Sequence, residues 1–252
     1  MVAQAVPAPP DPIPQHVVLI PDGNGRWARE HHRPVPEGHL QGARAVEGFL
    51  RVCRDWGVPV ATVWAFSTEN WGRSRAEVEA IMRIVGIYLR RNRGTFRREA
   101  MRFRHLGRRD RLAQSHPGLA RLLLQLEEET RAFTRHTLNL ALDYGGRDET
   151  LRAVRRLLEQ GRPAAELIWD DLAAGFDTAG QPDPDLIIRT SGEHRLSGIL
   201  PLQSVYAELV FVPRLLPDMR EEDFREAIRE FARRGRRFGL RPEADTTVGD
   251  ER

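Results

Sequence analysis

Asp22 stands immediately before a glycine-rich turn, Gly23-Asn24-Gly25, and Arg26 and Trp27 follow it. The apolar run 17–20 leads into this turn through Pro21, so a strand feeds a glycine turn and then a helix start. Backbone N–H groups converge at such a turn, and the helix dipole adds partial positive charge there, which makes a cradle for an anion. A carboxylate at the mouth of a phosphate site repels its ligand unless a divalent cation sits between them. Asp22 therefore points to a diphosphate bound with Mg²⁺, which takes few carboxylates and fills its shell with waters and phosphate oxygens. Arg26, His39, Arg73, Arg189 and Arg195 supply further donors, enough for two diphosphate places.

The segment 23–28 also matches G-x-G-x-x-A, the dinucleotide fingerprint. The confirming acid at the end of the next strand is missing, and Asp22 would face the pyrophosphate without a metal. All 39 basic side chains are arginine, which excludes a Schiff-base lysine and a P-loop lysine. No Ser-His-Asp arrangement is evident. Cys53 is the only cysteine and falls on an apolar helical stripe, so there is neither an intrachain disulfide nor a thiolate metal cluster.

These residues need elements to carry them. Apolar runs at 16–20, 58–66, 101–106, 137–142, 186–188 and 209–212 read as strands, and helical spacing marks 37–56, 78–89, 117–133, 148–160 and 221–231. Gly57 ends the first long helix, and Ser74 with Glu77 reads as a capping box. Strands alternating with helices predict an α/β fold of one domain, with a mostly parallel central sheet covered by helices on both faces. Ligands in such folds bind outside the carboxyl ends of the strands. The polar segments 22–26, 67–73 and 189–197 each follow a strand, so one end of the sheet collects them. A length of 252 residues suits one large core, and charges of both signs netting only +3 argue against a nucleic-acid partner. Residues 1–15 read as a disordered proline-rich lead-in without a signal peptide, 16–240 as the domain and 241–252 as a flexible tail. A cytoplasmic location follows.

Four ordered segments resemble the cis-prenyltransferase family, of the undecaprenyl diphosphate synthase type. They are HVVLIPDGNGRWA, Gly38-His39-x-x-Gly42, Phe66-Ser67-Thr68-Glu69-Asn70-Trp71-x-Arg73, and RTSGEHRLSGILPLQSVYAEL from Arg189. The resemblance runs from about residue 16 to Gly239. It implies a Mg²⁺-dependent enzyme that condenses isopentenyl diphosphate with an allylic diphosphate in Z geometry and holds its product in an apolar tunnel. Asp22 would bind the metal and help ionise the allylic diphosphate. Gly23, Asn24, Gly25, Arg26 and His39 would hold that diphosphate, with Arg73 nearby. Arg189, Arg195 and Ser197, next to Leu196, would grip isopentenyl diphosphate, while His194 and Glu208 would complete the metal environment. Asn70, with Ser67, Thr68 and Glu69, would assist proton loss, and Trp27 and Trp71 would flank the substrates. Residues 78–89 with Val63 and Ala65 would line the tunnel. The family also implies a homodimer, with the 236–239 tail reaching the neighbouring site. A long product would be lipid-soluble, so a transient, peripheral membrane contact for its release is expected, although the sequence shows no amphipathic anchor.

The chain departs from the family pattern at four places. Pro21 replaces a methionine. Val35 stands where an arginine is common, with Arg33 as the candidate replacement. Gly198 and Leu202 replace an asparagine and a tryptophan. The changes at Val35, Gly198 and Leu202 motivate one alternative, a synthase of short or irregular isoprenoid diphosphates; a second, of a different class, is a non-catalytic prenyltransferase partner subunit. Retention of Asp22 and Asn70 speaks against the second.

Overall fold

β1 (His16–Ile20) is buried at every position, as its unbroken run of β-branched and apolar residues requires of a strand covered on both faces. The structure, a computed structural model, describes residues 7–161 and 163–234. Five further strands join β1: β2 (Val60–Ser67), β3 (Met101–Leu106), β4 (His136–Tyr144), β5 (Leu186–Arg189) and β6 (Glu208–Phe211). They form one parallel sheet in the order β3-β4-β2-β1-β5-β6. The chain leaves β1 toward β2 on one side and returns to β5 on the other. The crevice over β1 is thus the topological switch point, where open α/β sheets bind ligands.

The helices are α1 (Asn24–Glu30), α2 (Val35–Asp55), α3 (Arg75–Arg98), α4 (Arg109–Ser115), α5 (Pro117–Thr130), α6 (Gly146–Glu159), α7 (Trp169–Ala173) and α8 (Glu221–Arg233). Alternation along the strands splits the core. Val17, Leu19 and Val63 face one cluster with Phe49 of α2, Val78 of α3, Leu122 of α5 and Phe224 of α8. Val18, Ile20 and Tyr144 face a second cluster with Ile199 and Leu200. The Tyr144 hydroxyl donates to Glu149 of α6 at 2.5 Å, which puts α6 on this second face. The expected parallel sheet, covered on both sides, is the fold found.

Three expectations change in detail. β2 starts at Val60 rather than Val58, because the Val58 N–H is used by the Cys53 carbonyl at 2.8 Å to close α2. α4 lies in an arginine-rich stretch whose sequence shows no helical apolar stripe; it buries only Leu112. Part of the 1–15 lead-in is tied to the domain: Trp56 Nε1 donates to the Pro7 carbonyl at 2.9 Å, the Gln15 N–H donates to Asp185 Oδ2 at 2.5 Å, and the Gln15 carbonyl accepts from the Val60 N–H at 3.1 Å. The 236–239 tail and the 241–252 segment lie outside the described residues.

Candidate active site

Three neighbouring strands deliver the chemistry. β2, β1 and β5 lie side by side, and their carboxyl ends carry Ser67, Asp22 and Arg189. Ile20 pairs with Arg189, so Asp22 emerges directly beside that guanidinium. Arg189 Nη2 donates to Asp22 Oδ2 at 2.9 Å, and its Nη1 donates to Ser197 Oγ at 2.8 Å and to the Arg195 carbonyl. The Arg189 side chain is only 5% exposed, whereas Asp22 is 33% exposed and opens to the crevice. Thr190 fixes the backbone beneath: its hydroxyl accepts from the Asp22 N–H and donates to the Asp22 carbonyl, both at 2.8 Å. Arg189 Nε is buried without a partner.

The turn after β1 has the geometry its glycines dictate. Gly23 takes φ +103°, a conformation a side chain would strain, and a Cβ there would meet Ser191 Oγ at 2.9 Å. Gly38 and Gly42 serve the same turn from α2. A Cβ on Gly38 would fall 2.2 Å from the Asn24 carbonyl, and one on Gly42 would fall 2.2 Å from Asn24 Oδ1. These two glycines let α2 press against Asn24, and His39 between them then reaches the mouth. The Asn24 amide donates to His39 Nδ1 at 3.2 Å, so Nδ1 is the acceptor and Nε2 carries the proton that reaches Glu77 at 3.4 Å. Burial lowers the His39 pKa below its ordinary value, outweighing the hydrogen bond and charge of Glu77 that raise it. His39 is a neutral donor at neutral pH.

The mouth is rich in guanidinium groups, several of them held by carboxylates. Arg26 lies 3.1 Å from Glu193 and 3.7 Å from Asp22, Arg195 pairs with Glu193, and Arg73 meets Glu77 at 2.9 Å. The 3₁₀ turn Thr68–Gly72 carries Glu69 and Asn70. Asn70 Oδ1 accepts from the Ser67 N–H at 3.0 Å, which pins the Asn70 side chain at the end of β2. At Ser74, the cap read from sequence, the hydroxyl accepts from the Glu77 N–H at 3.3 Å, without a return bond from the Glu77 side chain.

A cavity of about 620 Å³ begins at these groups and runs inward between α2, α3 and the sheet. Asp22, Gly23, Asn24, Gly25, Arg26, His39, Ser67, Glu69, Asn70, Arg73, Arg189, Arg195 and Ser197 all line it, so the structure brings together most of the residues singled out from sequence. Beyond them the wall is apolar: Val46 and Leu50 of α2, Ile81, Val85 and Tyr88 of α3, Val63 and Ala65 of β2, and Leu138 of β4. Val78 and Met82, on the same helix as Ile81, turn into the core instead.

Other candidates lie elsewhere. Trp27 leaves the cavity; its indole N–H donates to Asp218 at 2.8 Å and its ring stacks on His31. Trp71 donates to Asp143 at 2.8 Å, lies edge-on to Phe66 and carries the Arg111 guanidinium over its ring. Asp143 is fully buried at the end of β4 and accepts from both Trp71 and Arg111, so this pair clamps the 3₁₀ turn that bears Asn70. Thr68 packs on Gly145, and Leu196 on the second core cluster. His194 packs against Phe211, and Glu208, at the opposite end of β6, binds Arg234 at 3.0 Å; neither lines the cavity of a single chain. Arg33 is 59% exposed and points to Glu37, away from the cavity, whereas Arg29 lines it. Sequence reasoning missed Arg29, Glu77, Thr190 and Asp143. Arg29 follows the cradle by one helical turn, and that spacing was a readable signal.

The fold and this mouth have counterparts. The family model described as "Putative undecaprenyl diphosphate synthase", a prenyltransferase model, matches residues 20–239. The chain belongs to this prenyltransferase family. An isoprenyl transferase of Rhizobium meliloti is 43% identical over 246 residues, covering 95% of this chain and 98% of the relative. One from Aquifex aeolicus is 41% identical, covering 90% of this chain and 96% of its own. Among solved structures, lavandulyl diphosphate synthase from Lavandula x intermedia, in complex with dimethylallyl diphosphate, superposes with a TM-score of 0.85 at 30% identity, covering 90% of this chain and 98% of that one. A protein of Campylobacter jejuni described as a probable undecaprenyl diphosphate synthase gives 0.74 at 29% identity over the same shares.

Proposed function

We propose that this prenyltransferase condenses isopentenyl diphosphate with an allylic diphosphate, adding Z units to build a polyprenyl diphosphate. One observation carries the reading: a single cavity joins a mouth of guanidinium groups around one carboxylate to an apolar interior. The allylic diphosphate sits on the 23–26 turn with His39 and Arg29, and its hydrocarbon chain enters the cavity. Isopentenyl diphosphate sits on Arg189, Arg195 and Ser197. The allylic C–O bond breaks, diphosphate leaves with the electron pair, and the alkene of isopentenyl diphosphate attacks the carbocation. A proton then leaves the neighbouring carbon to form the new double bond, at the site where Asn70, Ser67 and Glu69 converge. Arginines stabilise the departing diphosphate by charge placed before the bond breaks.

The donor set fits Mg²⁺. Asp22 offers one partly exposed carboxylate, and among the described residues no three His, Cys, Asp or Glu side chains form a closed cage. Such a site suits a cation that shares its shell with phosphate oxygens. Asp22 would hold it, and the ion would neutralise charge on the leaving diphosphate. His194 and Glu208 do not line the cavity, and Glu208 is paired with Arg234 at the far end of β6, so within this chain Asp22 is the carboxylate that would hold the ion.

A short or irregular product is the second reading, favoured by the likeness to the lavandulyl enzyme. The depth of the apolar wall, from Ala65 to Leu138, favours a longer chain. Incubation of the protein with labelled isopentenyl diphosphate, farnesyl or dimethylallyl diphosphate and Mg²⁺, followed by chromatography of the dephosphorylated products, decides chain length. No turnover with any primer would sink the enzyme reading. Asp22→Ala is expected to abolish turnover with the circular dichroism spectrum unchanged; near-normal rates would remove Asp22 from the metal role.

A further inference from the structure

α3 separates the apolar cavity from the exterior. Its inner face turns Ile81, Val85, Tyr88 and Leu89 to the cavity. Its outer face carries Arg83, Ile87, Arg90, Arg91 and Arg98, all exposed, at the spacing of one helical face. Between residues 80 and 98 there are six arginines and no acid. Arg97 and Arg98 find carboxylates at Glu129 and Glu99. Arg83, Arg90 and Arg91 have no ion-pair partner among the described residues. α8 differs: its Arg225, Arg229 and Arg233 each pair with glutamates of the same helix. The α3 stripe is therefore a surplus of unneutralised charge on one helix face. Ile87, 52% exposed, lies in its middle.

We propose that the outer face of α3 docks on an anionic lipid bilayer. The three guanidinium groups complement phosphate headgroups, and Ile87 enters the boundary between headgroups and acyl chains. A nucleic acid is disfavoured, because the only aromatic ring of residues 83–91, Tyr88, faces the cavity and offers no base-stacking surface. The bilayer would then lie one helix thickness from the apolar cavity. That this is where product leaves rests on the polyprenyl reading above; the docking surface does not.

Co-sedimentation of the full chain with vesicles of phosphatidylcholine, with and without phosphatidylglycerol, tests the surface in the absence of substrate. Binding is expected only to the vesicles with phosphatidylglycerol, and salt should weaken it. Arg83→Gln/Arg90→Gln/Arg91→Gln should lose about fivefold affinity per arginine, roughly a hundredfold in all. Arg155→Gln, on α6 across the sheet, should change nothing. No binding by the parent chain, equal binding to both vesicles, or equal losses in the triple variant and Arg155→Gln would each overturn the proposal. Turnover of water-soluble dimethylallyl diphosphate without vesicles, which the triple variant should retain, separates the two readings. Vesicle binding without turnover sinks the catalytic reading alone, and turnover without vesicle binding sinks the docking surface alone.

Discussion

Arg29 shows how a single side chain changes its meaning with its surroundings. In the sequence it is one of 39 arginines. In the fold it lines the cavity one turn after the Asp22 cradle, and the arginine expected near Val35 is absent from that mouth. Arg33, the replacement suggested by proximity in sequence, points to Glu37 at 4.0 Å along the exterior. A charged hydrogen bond from a guanidinium to phosphate is worth about 1.5–3 kcal/mol. Arg29→Ala is therefore expected to raise KM for the allylic diphosphate by about ten- to a hundredfold, with Arg33→Ala leaving it unchanged. Steady-state kinetics on both variants check this, and the opposite ranking would restore Arg33 to the site.

At the scale of elements, the mouth depends on how closely α2 approaches α1. Gly38 and Gly42 remove the side chains that would hold α2 away from Asn24, and His39 reaches the mouth only because of that approach. Gly42→Ala places a methyl group 2.2 Å from Asn24 Oδ1, 2.9 Å from its Cγ and 3.0 Å from Leu216 Cδ2, so the Asn24 side chain must shift. Overpacking of this kind costs about 1–3 kcal/mol. The expected result is a lower urea midpoint together with a raised KM for the allylic substrate, because Asn24 and His39 shift as a unit. A variant with wild-type stability and KM would show that α2 yields at no cost. The motif Gly38-His39-x-x-Gly42 was visible in the sequence, but the use of its glycines was not: spacing shows that they share a helix face, and only the neighbouring α1 shows what they must clear.

At the scale of the whole molecule, two surfaces and one buried histidine have measurable consequences. Leu151, Val154 and Leu158 form an exposed stripe on α6, and Ile168 and Trp169 are exposed near α7, with Leu158 68% exposed. Isolated exposed apolar residues need no explanation, but a stripe of them marks a partner surface. A homodimer through this face is expected in analytical ultracentrifugation, and Leu158→Glu should shift it toward monomer; a monomeric parent chain would count against it. His16, at the start of β1, is fully buried between Pro182 and Thr62, and burial lowers its pKa to about 4. The unfolded chain has the ordinary histidine value, near 6.5. Between these values the unfolded state binds the extra proton, so stability is full above the unfolded value and falls as pH drops toward the folded one. The loss amounts to about 3 kcal/mol from this group. Urea midpoints measured from pH 7 down to pH 4.5 should decline accordingly; a flat profile would mean that His16 titrates normally in the folded state.

The strands, their parallel arrangement and the end of the sheet that bears the site were legible in the sequence, because buried parallel strands read as unbroken apolar runs and polar segments follow them. Asp22, the 23–26 turn, Asn70 and Arg189 were legible for the same reason: each sits at a strand end, where local order and three-dimensional order coincide. The tertiary structure alone decided which residues share a cavity. It set Trp27 and Trp71 on carboxylates outside that cavity, packed His194 on Phe211 and put Glu208 at the far end of β6, neither in the cavity lining, and split residues 78–89 between cavity and core. The physical reason is the length of the chain between contacts. A strand–turn signal depends on neighbours in sequence, whereas the direction of a side chain depends on elements brought together across 167 residues, as Arg189 is with Asp22.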